Sequence, residues 1–123
     1  MTIDLKSIDR STEEGRKAWF QAFIDQNMAH NYVEAKVVKK IVKAFIKAGN
    51  PIAKIDDGED VTDVRTLRDV QEVVFNLDEC FLLPKNGGWI RIVLGNDWDC
   101  LVDYTVSLED TLKPINDWIN KHN

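Results

Sequence analysis

Long apolar runs are missing from this chain. No stretch approaches the ~20 consecutive apolar residues that a membrane-spanning helix needs. The opening Met1-Thr2-Ile3-Asp4-Leu5-Lys6 also lacks the apolar stretch of a signal peptide. Together these absences predict a cytoplasmic protein with no membrane partner. Cysteine is scarce: Cys80 and Cys100 are the only two, and neither belongs to a C-x-x-C pair. Two cysteines do not make a disulfide framework. Both fall in predicted strands, and strands that flank a common neighbour lie ~10 Å apart, too far to bridge without backbone movement. They read as reduced core thiols without a disulfide partner. His30 and His122 are the only histidines, and no Ser or Cys nucleophile motif accompanies them, which argues against a catalytic triad. Neither G-x-G-x-x-G nor G-x-x-x-x-G-K-[ST] occurs, so no nucleotide cofactor is expected. There is no internal repeat, linker or low-complexity tract.

What is present suits one globular domain. Apolar residues make up 44% of the 123, and charged residues 30%, a balance that can fill a single core and excludes disorder. The net charge is −5. Overall acidity repels nucleic acid and anionic lipid at long range, although a local basic patch can still act. It favours solubility or a basic protein partner.

Hydrophobic spacing predicts the elements. Ser11 and Glu14 resemble a capping box, followed by Trp19, Phe20, Phe23 and Ile24 on one helical face. Polar residues from Asn27 to Asn31 predict the end of that helix. Asn31 with Glu34 predicts a second start, and Val37, Val38, Ile41, Val42, Phe45 and Ile46 then keep i, i+3, i+4, i+7 spacing. Lys43 and Lys47 complement the dipole of its last turns, Gly49 fits the position after the end, and Pro51 follows. Ile52 to Ile55 and the region of Val61 and Val64 predict a hairpin around Asp57-Gly58. Thr66 with Asp69 predicts a short helix; Val73 to Leu77 reads as helix or strand. Cys80 to Leu83 reads as a strand buried on both faces. Trp89 to Leu94 and Cys100 to Val106 alternate as strands, joined by turns at Asn86-Gly87-Gly88 and around Trp98. Ser107 with Asp110 predicts the cap of a last helix, kinked or restarted at Pro114. The order helix, helix, hairpin, short helix, three-strand meander, helix defines an α+β domain, with helices packed on an antiparallel sheet.

Three groups of residues invite a functional reading. Lys36, Lys39, Lys40, Lys43 and Lys47 lie opposite the apolar stripe of the second predicted helix. They read either as a solvated face or as a phosphate-contacting one; the stripe itself contains no arginine or aromatic residue of the kind that nucleic-acid surfaces favour. Asp56, Asp57, Glu59, Asp60 and Asp63 do not match the ligand spacing of a calcium loop, so no metal is predicted. They read as an exposed turn or a contact for a basic partner. Trp98, between Asp97 and Asp99 in a polar turn, reads either as an interface anchor or as a ring folded over the sheet rim. Arg91 and Asp103 are expected to form a cross-strand ion pair.

The stretch Gly88-Trp89-Ile90-Arg91-Ile92-Val93-Leu94-Gly95-Asn96-Asp97, followed by Asp103-Tyr104-Thr105 and preceded by Asp78-Glu79, resembles a small family of proteins from phages, plasmids and other mobile elements of bacteria. The likeness spans about a third of the chain. It implies a mobile-element origin and a shared hairpin, and it transfers no catalytic residue. The sequence thus predicts a non-enzymatic protein-interaction module that binds another protein through Trp98, Asp97, Asp99 and the 56–60 turn, as an accessory, inhibitor or immunity-type factor. The alternative is a nucleic-acid-associated protein that uses the lysine face.

Overall fold

Between Gly15 and Gly49 the chain contains neither glycine nor proline, and that decides its first element. The computed structural model describes residues 7–123; at positions 20, 21 and 23–32 it describes the backbone alone. A single helix, α1, runs from Glu13 to Lys47, 35 residues or ~52 Å. The predicted break at Asn27–Asn31 is absent, and no second helix starts at Asn31. An interior Asn costs only ~0.7 kcal/mol relative to Ala, whereas ending one helix and starting another exposes four carbonyls and four N–H groups. Polar residues alone are too weak a signal to stop a helix. The N-cap is Thr12, whose hydroxyl accepts from Gly15 N at 2.9 Å, one residue beyond the expected Ser11. Gly49 follows the helix end with φ +73°, the left-handed conformation that glycine adopts without a steric penalty.

The hairpin forms as expected, with β1 Ile52–Asp56 and β2 Val61–Asp63. Helix α2, Leu67–Val74, starts at a Thr66/Asp69 capping box. It ends before Phe75, so Val73 to Leu77 is neither wholly helix nor strand; Asn76 and Leu77 close the last turn through bonds to Val73 O and Val74 O. The meander comprises β3 Glu79–Pro84, β4 Ile90–Val93 and β5 Leu101–Tyr104. Hairpin and meander share one five-stranded antiparallel sheet, in the order β2-β1-β3-β4-β5. The expectation that β3 is buried on both faces fails: Cys80, Leu82 and Pro84 are buried, while Phe81 and Leu83 are only half-buried. A two-layer arrangement explains this. Helices α1, α2 and α3 all bury their apolar sides in one cluster with Ile52, Ile55, Cys80, Leu82, Ile90 and Ile92. Among the described residues nothing comparable covers the other face.

Helix α3, Glu109–His122, follows a 3-10 turn at Val106–Leu108. Its N-cap is Leu108 without a side-chain bond, not Ser107, and it runs through Pro114 without restarting. Pro114 and Asp110 are both exposed, so water can satisfy the Asp110 carbonyl that proline leaves without a donor. The Tyr104 hydroxyl ties α3 to β5 by donating to Glu109 and accepting from Asn116 Nδ2. The bond to Glu109 and, secondarily, loss of hydration push the Tyr104 hydroxyl pKa upward. Arg91 sits opposite Asp103 in the β4–β5 register, but its Nε bonds Glu79 at 2.7 Å instead. The Asp103 carboxylate accepts from Tyr104 N. Cys80 and Cys100 are buried and reduced. No helix among the described residues is long and apolar enough to cross a membrane.

Candidate functional site

The β4–β5 connection is built around a carboxylate that sequence spacing misassigns to a helix cap. Glu34 lies inside α1 and is 0% exposed. Its Oε2 accepts from Gly95 N, Asn96 N and Asp97 N at 2.8, 3.0 and 3.1 Å. A buried carboxylate is tolerated only when it is hydrogen-bonded, and three N–H groups converge on this oxygen. Asp97 is the one described non-glycine residue at positive φ, +51°, a conformation that aspartate tolerates better than most. The clamp fixes the loop to α1 and aims the next residue, Trp98, toward α3.

Trp98 therefore sits half-buried at a helix junction. Its ring meets Trp118 edge-on at 5.3 Å and lies stacked with His122 at 6.1 Å. The ring does fold back, but over the end of α3. His122 also packs at 5.3 Å from Trp118, with Nδ1 2.9 Å from the Trp118 carbonyl oxygen. Asp97 and Asp99 flank this cluster as exposed carboxylates.

Trp118 also meets the lysines. Lys40 Nζ lies 4.5 Å from the Trp118 ring centroid, a cation–π geometry. Lys36, Lys39, Lys40 and Lys43 line one open cleft of about 370 Å³, with Trp118 as its aromatic wall. Lys47 lies a turn further along α1 and is not part of it. The aromatic component missing from the lysine stripe is thus supplied by a different helix, more than 70 residues away in sequence. Helical spacing could place Trp118 beside Ile115 and Ile119, but not beside Lys40, because α1–α3 packing is a tertiary fact.

The acidic turn is organised by its own backbone. Asp56 Oδ1 accepts from Gly58 N at 2.8 Å, and Asp57 Oδ1 accepts from Glu59 N and Asp60 N at 2.8 and 2.7 Å. The bonds from Asp60 and Glu59 hold the Asp57 carboxyl below its ordinary range. No cluster able to hold a metal ion occurs among the described residues. Since β1 and β4 both run antiparallel to β3, this turn and the Trp98 turn leave the same end of the sheet. However, β3 separates them, so Trp98, Asp97, Asp99, Asp56, Asp57, Glu59 and Asp60 do not form one continuous patch.

A second cleft, of about 530 Å³, separates the start of α1 from the start of α2. Arg10, Arg16 and Arg68 line it together with Glu13, Asp69 and Glu72, a balance of signs that favours no ion. No family model, curated protein or solved structure matches this chain.

Proposed function

We propose that the protein is a binding module for a polyanion carrying planar rings, a single strand of nucleic acid, seated in the cleft between α1 and α3. One observation carries this reading: four lysines and an aromatic side chain line one cleft, with Lys40 over the Trp118 ring. A cation–π contact accounts for Lys40 alone, whereas a strand needs several cations for its phosphates and a ring for its bases. The net charge of −5 does not oppose this, because the charges are segregated. Lys43 and Lys47 lie toward the end of α1 that leads into β1, and the acidic 56–60 turn lies at the far end of β1. On the likeness of the 88–97 stretch, such a module belongs among the accessory proteins of bacterial mobile elements.

The test is binding of a fluorescent single-stranded oligonucleotide by anisotropy over a salt series. With about four phosphate contacts, a fourfold rise in salt should weaken binding roughly 50-fold. Lys39→Glu, Lys40→Glu and Lys43→Glu combined should abolish binding while the helical circular dichroism is retained. Trp118→Ala should weaken it about tenfold, and Trp118→Phe less. Absence of binding at low salt, or binding that the triple variant leaves intact, would refute the reading.

Capture of a protein partner is the second reading. It is favoured by a different observation, the sheet face that no helix covers among the described residues, where Phe81, Leu83, Trp89 and Val93 are half-buried. Trp98 is half-buried, with its ring packed on Trp118 and His122.

A further inference from the structure

Strand alternation sorts the sheet into two faces. The buried residues Ile55, Cys80, Leu82, Ile90 and Ile92 point toward the helices. Their neighbours point the other way, and none of Phe81, Leu83, Trp89 or Val93 packs against the buried core. Phe81 and Trp89 meet edge-on at 5.6 Å, giving the outer face an aromatic centre. The register then aligns the charges. Asp56 pairs with Phe81, Phe81 with Arg91, and Arg91 with Asp103, so one row crosses the face as Asp56, Phe81, Arg91, Asp103. In the next row Lys54 pairs with Leu83, and Trp89 follows just before β4.

We propose that this outer face is a self-association surface, on which a second copy of the chain packs about a twofold axis running along β3. Such an axis exchanges β1 with β4 and leaves β3 facing itself. Phe81 then meets Phe81 and Leu83 meets Leu83. Asp56 of each copy faces Arg91 of the other, twice over, and Lys54 of each faces the other's Trp89 ring. The match of charge is a consequence of the register, since β1 and β4 are the immediate neighbours of β3 and carry opposite signs in the same row. Arg91 can serve both chains: its Nε is taken by Glu79, and its two terminal nitrogens donate to no described residue. Like charges meet only at Glu79, where each carboxylate is already paired with its own Arg91. Aligned sheets pack ~10 Å apart, a distance these side chains span.

The face is four strand spacings wide, ~19 Å. A face of this size falls below an obligate interface, so the dimer should be weak and concentration-dependent. The inference stands apart from the lysine cleft, which lies on the helical side; it gives the sheet face of the second reading a defined occupant.

Analytical ultracentrifugation of the full chain tests it. The unaltered protein should shift from one to two chains as concentration rises. Asp56→Arg alone and Arg91→Asp alone should each weaken the dimer at least about tenfold, because each opposes like charges twice. An equimolar mixture of the two variants should associate more tightly than either variant alone, since the mixed pair restores both contacts between positions 56 and 91. Circular dichroism on each variant checks that the sheet is intact. A chain that stays monomeric at all concentrations overturns the inference, whether or not the face binds a different protein. So does a dimer that neither variant weakens, or a mixture that does not associate. Oligonucleotide binding by the unaltered chain in the same cell reports on the cleft separately.

Discussion

A carboxylate taken out of water needs hydrogen-bond donors, and Glu34 finds them in the N–H groups of residues 95–97, more than 60 positions away. Removing it strands those donors beneath the loop. Glu34→Ala should lower the unfolding free energy by about 3 kcal/mol, since an unsatisfied buried donor costs ~1–3 kcal/mol and water reaching these part-buried donors recovers part of the sum. Glu34→Gln keeps one acceptor oxygen and should cost roughly half as much. Urea unfolding with an unchanged m-value would measure both. A loss under ~0.5 kcal/mol for the alanine variant would mean that the loop is held by something else. Nothing at the residue level of the sequence marks Glu34 as buried, because its i+3 position after Asn31 fits a helix cap equally well.

Among elements, the turns read more clearly than the ends of helices. Gly88, between β3 and β4, has φ +84°, and a Cβ there would come within 2.5 Å of Thr105 Oγ1 and 3.1 Å of Leu108. That hydroxyl accepts from Trp89 N, so the position combines backbone strain with a close approach that holds the strands in register. Gly87, at φ +108°, has open space around it. Gly88→Ala should therefore destabilise by at least about 2 kcal/mol, and Gly87→Ala by about 1 kcal/mol, as read from thermal or urea midpoints. Equal costs would show that strain alone acts at both. The Gly87-Gly88 turn was legible because left-handed backbone requires a particular residue type. The length of α1 was not, since Asn27 and Asn31 disfavour a helix interior only weakly and packing overrides them.

On the scale of the whole molecule, the two surfaces proposed for function lie on opposite layers, the cleft among helices and the apolar face on the sheet. The core between them holds both thiols. Burial pushes Cys80 and Cys100 up to about 12 from the ordinary 9.0, assisted at Cys80 by Glu79 and at Cys100 by Glu34. In the unfolded chain they ionise near the ordinary value. The native state therefore keeps this contribution to stability below pH 9 and loses it progressively as pH rises from 9 toward 12. The urea midpoint should fall across that window, and substituting both cysteines by alanine should flatten the part of the fall that they cause. At pH 8 iodoacetamide should label neither thiol faster than the fold opens; rapid labelling of the native chain would contradict their burial.

Local patterning by itself determined the α+β class, the hairpin, the meander with its glycine turns, and the lysine stripe on α1, because each follows from a period or a conformational demand contained within a few residues. The tertiary structure alone decided that α1 is continuous and that hairpin and meander form one sheet. It also decided that one face of that sheet lies outside the helical core, that Trp118 completes the lysine cleft, and that Glu34 holds the Trp98 turn. Each depends on contacts between segments far apart in the chain, and no local spacing encodes which distant segment will arrive.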